Sequence, residues 1–269
     1  MSEVNIGFIG VGNMGFAIIN GIMNMKDNTH KISVFAYDKD ESKIDKIKKL
    51  GAYSCISEQD ILEKCKYVLL AVKPQMFEAV LNTIKPAVTK DTVIISIAAG
   101  ITAEYIKKMT IPEAKVVLVM PNTPLLLGEG ATALAKGDKV SEDEFALVKS
   151  VFDACGETAV ISQDKMKEII AINGSSPAFI YLFAKGFIDY ADSVGIDKEE
   201  AKKLFAKSLI GSAKMMTESG YSLDELIKMV SSPGGTTLAG LDELYSGKLT
   251  DVVDKACKSC TRRAYELSK

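Results

Sequence analysis

A chain of 269 residues suits one large domain or two moderate ones, and its 47% hydrophobic, 25% charged composition is that of a globular protein. A formal net charge of −2 gives no overall positive charge to attract nucleic acid or an anionic membrane, so neither is an expected partner. No apolar run reaches the ~20 residues of a membrane-spanning helix, and the opening MSEVNIGFIGVG lacks the basic start of a secretory signal.

The first 160 or so residues alternate short apolar runs with helical segments. NIGFIG (5–10), KISVFAY (31–37), YVLLAV (67–72), TVIISIA (92–98) and KVVLVMP (115–121) are rich in Val and Ile and nearly unbroken in hydrophobicity. That is the pattern of parallel strands buried on both faces. Residues 13–25, 41–50, 74–84 and 102–109 carry helical periodicity between them, and two further strands are expected near 130–136 and 157–162. Alternating strands and helices predict a Rossmann-type, doubly wound, mainly parallel α/β sheet over 1–163.

GVGNMG at 10–15 follows the first strand and opens the first helix. Gly10, Gly12 and Gly15 match the dinucleotide fingerprint, with Val11, Asn13 and Met14 between them. The first glycine makes the turn, the second lets backbone approach a pyrophosphate, and the third allows helix to pack on strand. The helix N-terminus then faces the phosphates. The second strand ends in FAYDKDESK. Asp38 is placed to bond the ribose hydroxyls of NADH, whereas Lys39 and Lys43 are placed to neutralise the 2′-phosphate of NADPH; both cofactors stay open at this point. Ligands bind outside the carboxyl ends of parallel strands, so Val72, Lys73 and Pro74 of AVKP are expected to border the cofactor, with Lys73 serving phosphates or capping a helix. Ala98 and Ala99 of SIAAG are small enough for a nicotinamide to lie against backbone. Pro121 and Asn122 of MPNTP form either the wall of the active site or a packed turn.

After residue 163 the strand signal stops. Segments 164–173, 177–194, 197–219, 222–230 and 237–268 read as helices, broken at NGSSP, VGID, SGYS and SSPGG. Stretches such as PAFIYLFAKGFIDYA are apolar on much of their surface. Five helices in about 105 residues cannot cover one another that well, so a homodimer joined through a helical domain over 164–269 is expected. Of five cysteines, Cys55, Cys65 and Cys155 are scattered, and Cys257 and Cys260 form a C-x-x-C without a second pair or a histidine cluster. We read that pair as helical spacing rather than a redox or metal site, and the chain as cytosolic. The single histidine, His30, at the edge of a strand, leaves no material for a histidine triad, relay or metal centre.

FIGVGNMG, AVKP, SIAAGIT, MPNTP, GEGAT, NGSSPAF and SSPGGTTLAGL, in this order over nearly the whole chain, resemble pyrroline-5-carboxylate reductase. SPGGTT together with MPNTP carries the specificity of the resemblance. It implies a Rossmann domain followed by a helical domain that dimerises, sometimes into larger rings. It also implies reduction of 1-pyrroline-5-carboxylate to L-proline by NADPH or NADH, the last step of proline biosynthesis. Ser176 and Phe179 stand where the family often has glycine and tyrosine. Members that use NADPH often carry Ser, Asn or Arg where this chain has Asp38.

The residues suit that chemistry. A cyclic imine is protonated at nitrogen before hydride arrives, so orientation outweighs acid–base catalysis, and a site without histidine suffices. The substrate carboxylate needs an anion cradle free of bulky side chains. Pro233 fixes a turn, Gly234 and Gly235 expose backbone N–H groups, and Ser232, Thr236 and Thr237 add hydroxyls ahead of a helix N-terminus. The resemblance points to Thr237 as the catalytic residue beside the ring nitrogen. Two other readings were weighed. Related 3-hydroxyacid dehydrogenases resemble one another in a lysine four residues before an interdomain asparagine, but Ile169 precedes Asn173 at that spacing. A non-catalytic nicotinamide sensor would leave SPGGTT without a ligand.

Overall fold

Eight strands form one sheet in the order β3-β2-β1-β4-β5-β6-β7-β8. They are β1 Glu3–Ile9, β2 Lys31–Tyr37, β3 Tyr53–Ser54, β4 Tyr67–Leu70, β5 Val93–Ser96, β6 Lys115–Met120, β7 Gly130–Lys136 and β8 Gly156–Val160. The computed structural model describes residues 3–25 and 31–268; His30 lies outside them. Every neighbouring pair is parallel except β6 with β7. The mainly parallel Rossmann-type sheet expected from the sequence is therefore present.

The unbroken apolar runs are explained by burial on both faces. Along β4, Leu69 faces one core with Phe8, Ile95 and Val117, while Val68 and Leu70 face the other with Ile9, Ile94 and Leu118. On the first face lie α1 Asn13–Met23, α2 Glu41–Lys48 and, later in the chain, the helix Glu142–Asp153. On the second lie α3 Glu58–Lys64, α4 Phe77–Ile84 and α5 Ala103–Met109, so Glu142–Asp153 is α6. Neither α3, α6 nor the two-residue β3 was read from the sequence. Both missed helices carry a legible start: Ser57 accepts from the Asp60 N–H, and Ser141 with Glu144 forms a reciprocal capping box.

The helical half comprises α7 Ser176–Ser193, α8 Lys198–Glu218, α9 Leu223–Met229, α10 Thr236–Ser246 and α11 Leu249–Leu267. The helix expected over 237–268 is two, because the chain turns at Gly247 and at Lys248, whose φ is +55°. The helix expected over 164–173 is replaced by a 3₁₀ turn at Gln163–Lys165 and a π turn at Ile170–Gly174. Two compact units result: Met1–Pro177 with Ser259–Lys269, and Ala178–Lys258. In the second, α8, α9 and α10 bury no residue within this chain among those described. Phe187 stacks on Phe205 with ring centroids 4.4 Å apart and Phe183 meets Phe187 edge-on, while Phe183 and Phe187 remain exposed. Among the described residues no helix is long and apolar enough to cross a membrane.

The amino ends of the strands are locked by one buried carboxylate. Glu144, 4% exposed, accepts from Lys66 Nζ and Lys115 Nζ, each at 2.7 Å, and from the Ser141 N–H at 3.0 Å. Burial by itself would raise its pKa; the lysine and backbone hydrogen bonds outweigh burial and hold it down at about 2. A carboxyl lowered on folding stabilises fully above its ordinary 4.5, and that contribution fades as pH falls toward about 2. Replacing Glu144 by alanine should lower stability at pH 7 by about 3 kcal/mol in urea unfolding, because two lysines lose their partner. Glu144→Gln should shrink the stability change that the parent protein undergoes between pH 4.5 and 2; an unchanged acid profile would dismiss this residue as a contributor.

Candidate active site

The sheet order reverses direction between β1 and β4, and there the strands' carboxyl ends part into a crevice of about 250 Å³. Gly10, Gly12, Asp38, Lys39, Lys43, Val72 and Lys73 line it, so seven residues singled out from sequence meet at one place. The glycines have separate causes. Gly10 has φ +97°, and a Cβ there would sit 2.9 Å from the Ala71 carbonyl oxygen. A Cβ on Gly15 would lie 2.6 Å from the Gly10 carbonyl oxygen, where α1 leaves the strand. At Gly12 a Cβ would meet no atom within 4 Å: the space above the first turn of α1 is open, and a side chain would fill it. Gly12 is also the N-cap of α1, with no side chain bonded over the helix start. The first N–H groups of α1 are thus left for an anion, which is the cradle a pyrophosphate requires. The residues present fit a nicotinamide dinucleotide.

Asp38 follows β2 directly. Its Oδ2 accepts from the Val11 N–H at 2.7 Å and its Oδ1 from the Asp40 N–H at 2.9 Å, while Lys43 Nζ stands 3.3 Å from Oδ1. Pro74 begins a 3₁₀ turn that leads into α4, with Lys73 at its N-cap position but no capping side-chain bond. Glu58 and Met76, which the sequence did not single out, line the same crevice.

A second cavity of about 490 Å³ opens at the carboxyl ends of β5 and β6. Ala98 lines it with Ser96, Gly100 and Met120, and Tyr265 of α11 closes one side. Tyr265 is held there twice: its hydroxyl donates to Glu168 Oε1 at 2.9 Å, and Lys167 Nζ lies 4.3 Å from its ring centroid. No sequence motif pointed to this end of the chain. The MPNTP segment is tied down beside it. Asn122 is buried, donates to the Asn173 carbonyl at 3.2 Å and accepts from the Ala131 N–H at 2.9 Å. Asn173 answers by donating to the carbonyls of Met120 and Ala131, at 2.6 and 3.0 Å. The side chain of Asn122 is therefore spent on the protein itself, and Pro121 is buried beside it.

In the helical unit, SSPGGTT forms a tight turn. The Gly235 N–H donates to the Ser232 carbonyl at 2.9 Å, Pro233 and Gly234 occupy the turn's centre, and Gly234 has φ +72°. Gly235 is the N-cap of α10, again without a side-chain cap, and Ser232, Thr236 and Thr237 are exposed. By contrast α2, α3, α5, α6, α8 and α9 are each capped by an Asp, Ser or Thr side chain. The two glycine-capped helix starts, α1 and α10, coincide with the two loops expected to hold ligands.

The cysteines fall outside these places. Burial pushes the thiols of Cys55 and Cys155 up to about 11 and that of Cys65 to about 12, which keeps them protonated and unreactive. Cys257 and Cys260 sit one turn apart on α11 as free thiols. Among the described residues no group of three His, Cys, Asp or Glu could hold a metal ion.

Comparison with known proteins agrees with the two-part layout. Residues 163–267 match the family model of pyrroline-5-carboxylate reductase dimerisation, and residues 5–100 match that of NADP oxidoreductase, coenzyme F420-dependent. Pyrroline-5-carboxylate reductase 3 of Xenopus laevis is 33% identical over 264 residues, covering 98% of this chain and 96% of its own. Pyrroline-5-carboxylate reductase of Escherichia coli is 32% identical over 268 residues, covering 99% of each. Among solved structures, a pyrroline-5-carboxylate reductase from Coxiella burnetii superposes with a TM-score of 0.91 at 34% identity, over 99% of both chains. A Plasmodium falciparum pyrroline carboxylate reductase with NADP bound superposes at 0.87 and 29% identity, over the whole of both. With a glycine-lined crevice, a glycine-capped SPGGTT turn and full-length identity of this order, the chain belongs to the pyrroline-5-carboxylate reductase family.

Proposed function

We propose that this protein is an NAD(P)H-dependent reductase that converts 1-pyrroline-5-carboxylate to L-proline, the closing step of proline biosynthesis. The observation that carries this reading is the conjunction, in one family member, of the open Gly12 cradle with the uncapped SPGGTT turn at the start of α10. The nicotinamide, when bound, supplies the hydride that reduces the C=N bond. Residues 1–163 hold the dinucleotide and residues 164–269 hold substrate and dimerise, a division supported by the family match over 163–267.

Each group of residues has a defined task. Gly10 to Gly15 present the first turn of α1 to the pyrophosphate, Asp38 faces the adenine ribose, and Val72 and Lys73 border the crevice, with Pro74 next in the chain at the start of the 3₁₀ turn. Ala98 and Ala99, with Pro121 and the backbone of Asn122, form the small-residue wall for the nicotinamide. The substrate carboxylate is held by N–H groups at the start of α10 and by the hydroxyls of Ser232 and Thr236. Thr237 holds the proton of the ring nitrogen through its hydroxyl. A helix N-terminus favours an anion by up to about 1 kcal/mol when exposed and more when water is excluded. No residue need act as a strong acid, because the imine nitrogen carries its proton before reduction.

The exposed faces of α7 to α10 support a homodimer as the working unit, since Phe183, Phe187, Leu204 and Met216 would otherwise face water. The free cysteines and the nicotinamide cofactor support a cytosolic location.

Thr237→Ala should lower kcat/KM for pyrroline-5-carboxylate at least tenfold, with thermal stability and nucleotide binding within twofold of the parent; unchanged steady-state constants would take Thr237 out of the site. Gly12→Val should weaken nucleotide binding more than tenfold at little cost in stability, whereas Gly15→Ala should destabilise the fold, since only the latter Cβ meets backbone. Equal effects of the two in titration and melting would contradict the assigned cradle. The pair Phe183→Asp with Phe187→Asp should convert a dimer to monomer in sedimentation equilibrium, and a dimer that survives it would place the interface elsewhere.

A further inference from the structure

The dinucleotide crevice carries a charge arrangement that distinguishes its two nicotinamide cofactors. NADH and NADPH differ at one place, the 2′ position of the adenine ribose: a hydroxyl in the first, and in the second a phosphate with a charge of about −1.5 to −2 at pH 7. The adenine-ribose half of a dinucleotide takes the β1–β2 side of such a crevice, and Asp38 stands there, at the carboxyl end of β2.

Asp38 is not free to move aside. The Val11 N–H, from the glycine loop itself, holds Oδ2 at 2.7 Å, and the Asp40 N–H holds Oδ1 at 2.9 Å. The side chain is 12% exposed. Two short backbone bonds to opposite oxygens fix both the position of the carboxylate and its plane, while leaving lone pairs that still accept. Lys43 approaches at 3.3 and 3.4 Å, longer than the backbone bonds, and its own side chain is 37% exposed. Lys43 is thus the looser partner, and its charge is already directed at Asp38. Glu58 lines the same crevice and adds a second negative charge. Lys39 lines the crevice too but is exposed to water, and Lys73 lies at the β4 side, after Val72.

A ribose 2′-hydroxyl arriving at this carboxylate donates a hydrogen bond to a fixed acceptor, with no charge to accommodate. A 2′-phosphate must instead settle against a pinned carboxylate, with Lys43 already paired to it and only the water-exposed Lys39 beside it as a further cation. We infer that Asp38 is the specificity-determining residue of this crevice and makes NADH the preferred cofactor over NADPH by at least tenfold. The inference rests on the crevice being the dinucleotide site, and it is independent of which imine is reduced.

The test is direct titration of the purified protein with NADH and with NADPH, following nucleotide fluorescence at low ionic strength and without any imine present. NADH should bind at least tenfold more tightly. Asp38→Ser should weaken NADH at least tenfold and tighten NADPH, bringing the ratio to one or below. Asp38→Asn retains the shape and one oxygen acceptor, for the Val11 N–H, and loses the other; it should lose much of the discrimination while remaining folded, which separates specificity from folding. Lys43→Ala should leave the preference for NADH in place or enlarge it. Equal or tighter binding of NADPH by the parent overturns the inference, as does a ratio unmoved in both folded Asp38 variants. Failure of both nucleotides to bind overturns it together with the crevice assignment. Discriminating binding without turnover of pyrroline-5-carboxylate supports it and sinks only the substrate reading.

Discussion

Parallel pairing around β1 is the constraint from which the rest of this molecule follows. β1 lies between β2 and β4, joined to both by parallel hydrogen bonding, so all three carboxyl ends open at the same edge. That arrangement demands a crossover helix on each side, and the crossovers leave a gap where the order reverses. The glycine loop, Asp38 and the AVKP turn are separated by tens of residues and come together only because of it. The pairing also continues past the strands: the Gly10 N–H donates to the Tyr37 carbonyl and the Ala71 N–H to the Ile9 carbonyl, both at 2.9 Å. The loops that face a ligand therefore inherit the register of the sheet rather than being placed by their own side chains.

The two edges of the sheet divide the work. At the amino edge Glu144 gathers two lysines and a backbone N–H around a buried carboxylate, which fixes β4, β6 and α6 to one another. At the carboxyl edge polar groups are kept in reserve: α1 begins without a side-chain cap, and Ala98 brings almost no side chain to its cavity. Asn122 and Asn173 sit between these extremes. They are polar and buried, and their amide groups bond each other's loops instead of a ligand, leaving only the buried Asn173 Oδ1 unpartnered. The distinction matters for reading motifs. A recurrent polar residue near a site serves the chemistry only if its hydrogen-bonding capacity is left over after the fold has used it.

Much of this was legible in the sequence, for identifiable reasons. The five principal strands were visible because both-face burial produces continuous Val and Ile runs, and the crevice was visible because a dinucleotide imposes glycine at fixed spacing. The misses have causes as well. β3 has only two residues, Tyr53 and Ser54, too few for any pattern to appear. In α6 the apolar residues are flanked by acidic ones that mask the periodicity, although Ser141 and Glu144 announce its start. The break at Lys248 has no proline to mark it and rests on a positive φ that a lysine seldom adopts. Tyr265 could not be assigned to the cavity at β5 and β6, because only the return of α11 to the sheet-containing unit brings it there. The π turn at Ile170–Gly174 arises from the hydrogen bonds of Asn173 to β6 and β7, a tertiary effect that overrides local helix preference.

The three thiols packed against the sheet make oxidation a matter of folding dynamics. Cys155 lies in the core on one face and Cys55 and Cys65 in the core on the other, all held as neutral thiols by burial. A peroxide or an alkylating reagent needs thiolate and access, and the native state offers neither at these positions. Each face of the sheet thus carries an internal recorder of transient opening: damage accumulates there only as fast as that face exposes itself. Under oxidative stress these three positions would be damaged only through rare excursions from the native state, at a pace governed by the stability of each face, unlike the partly exposed Cys257 and Cys260.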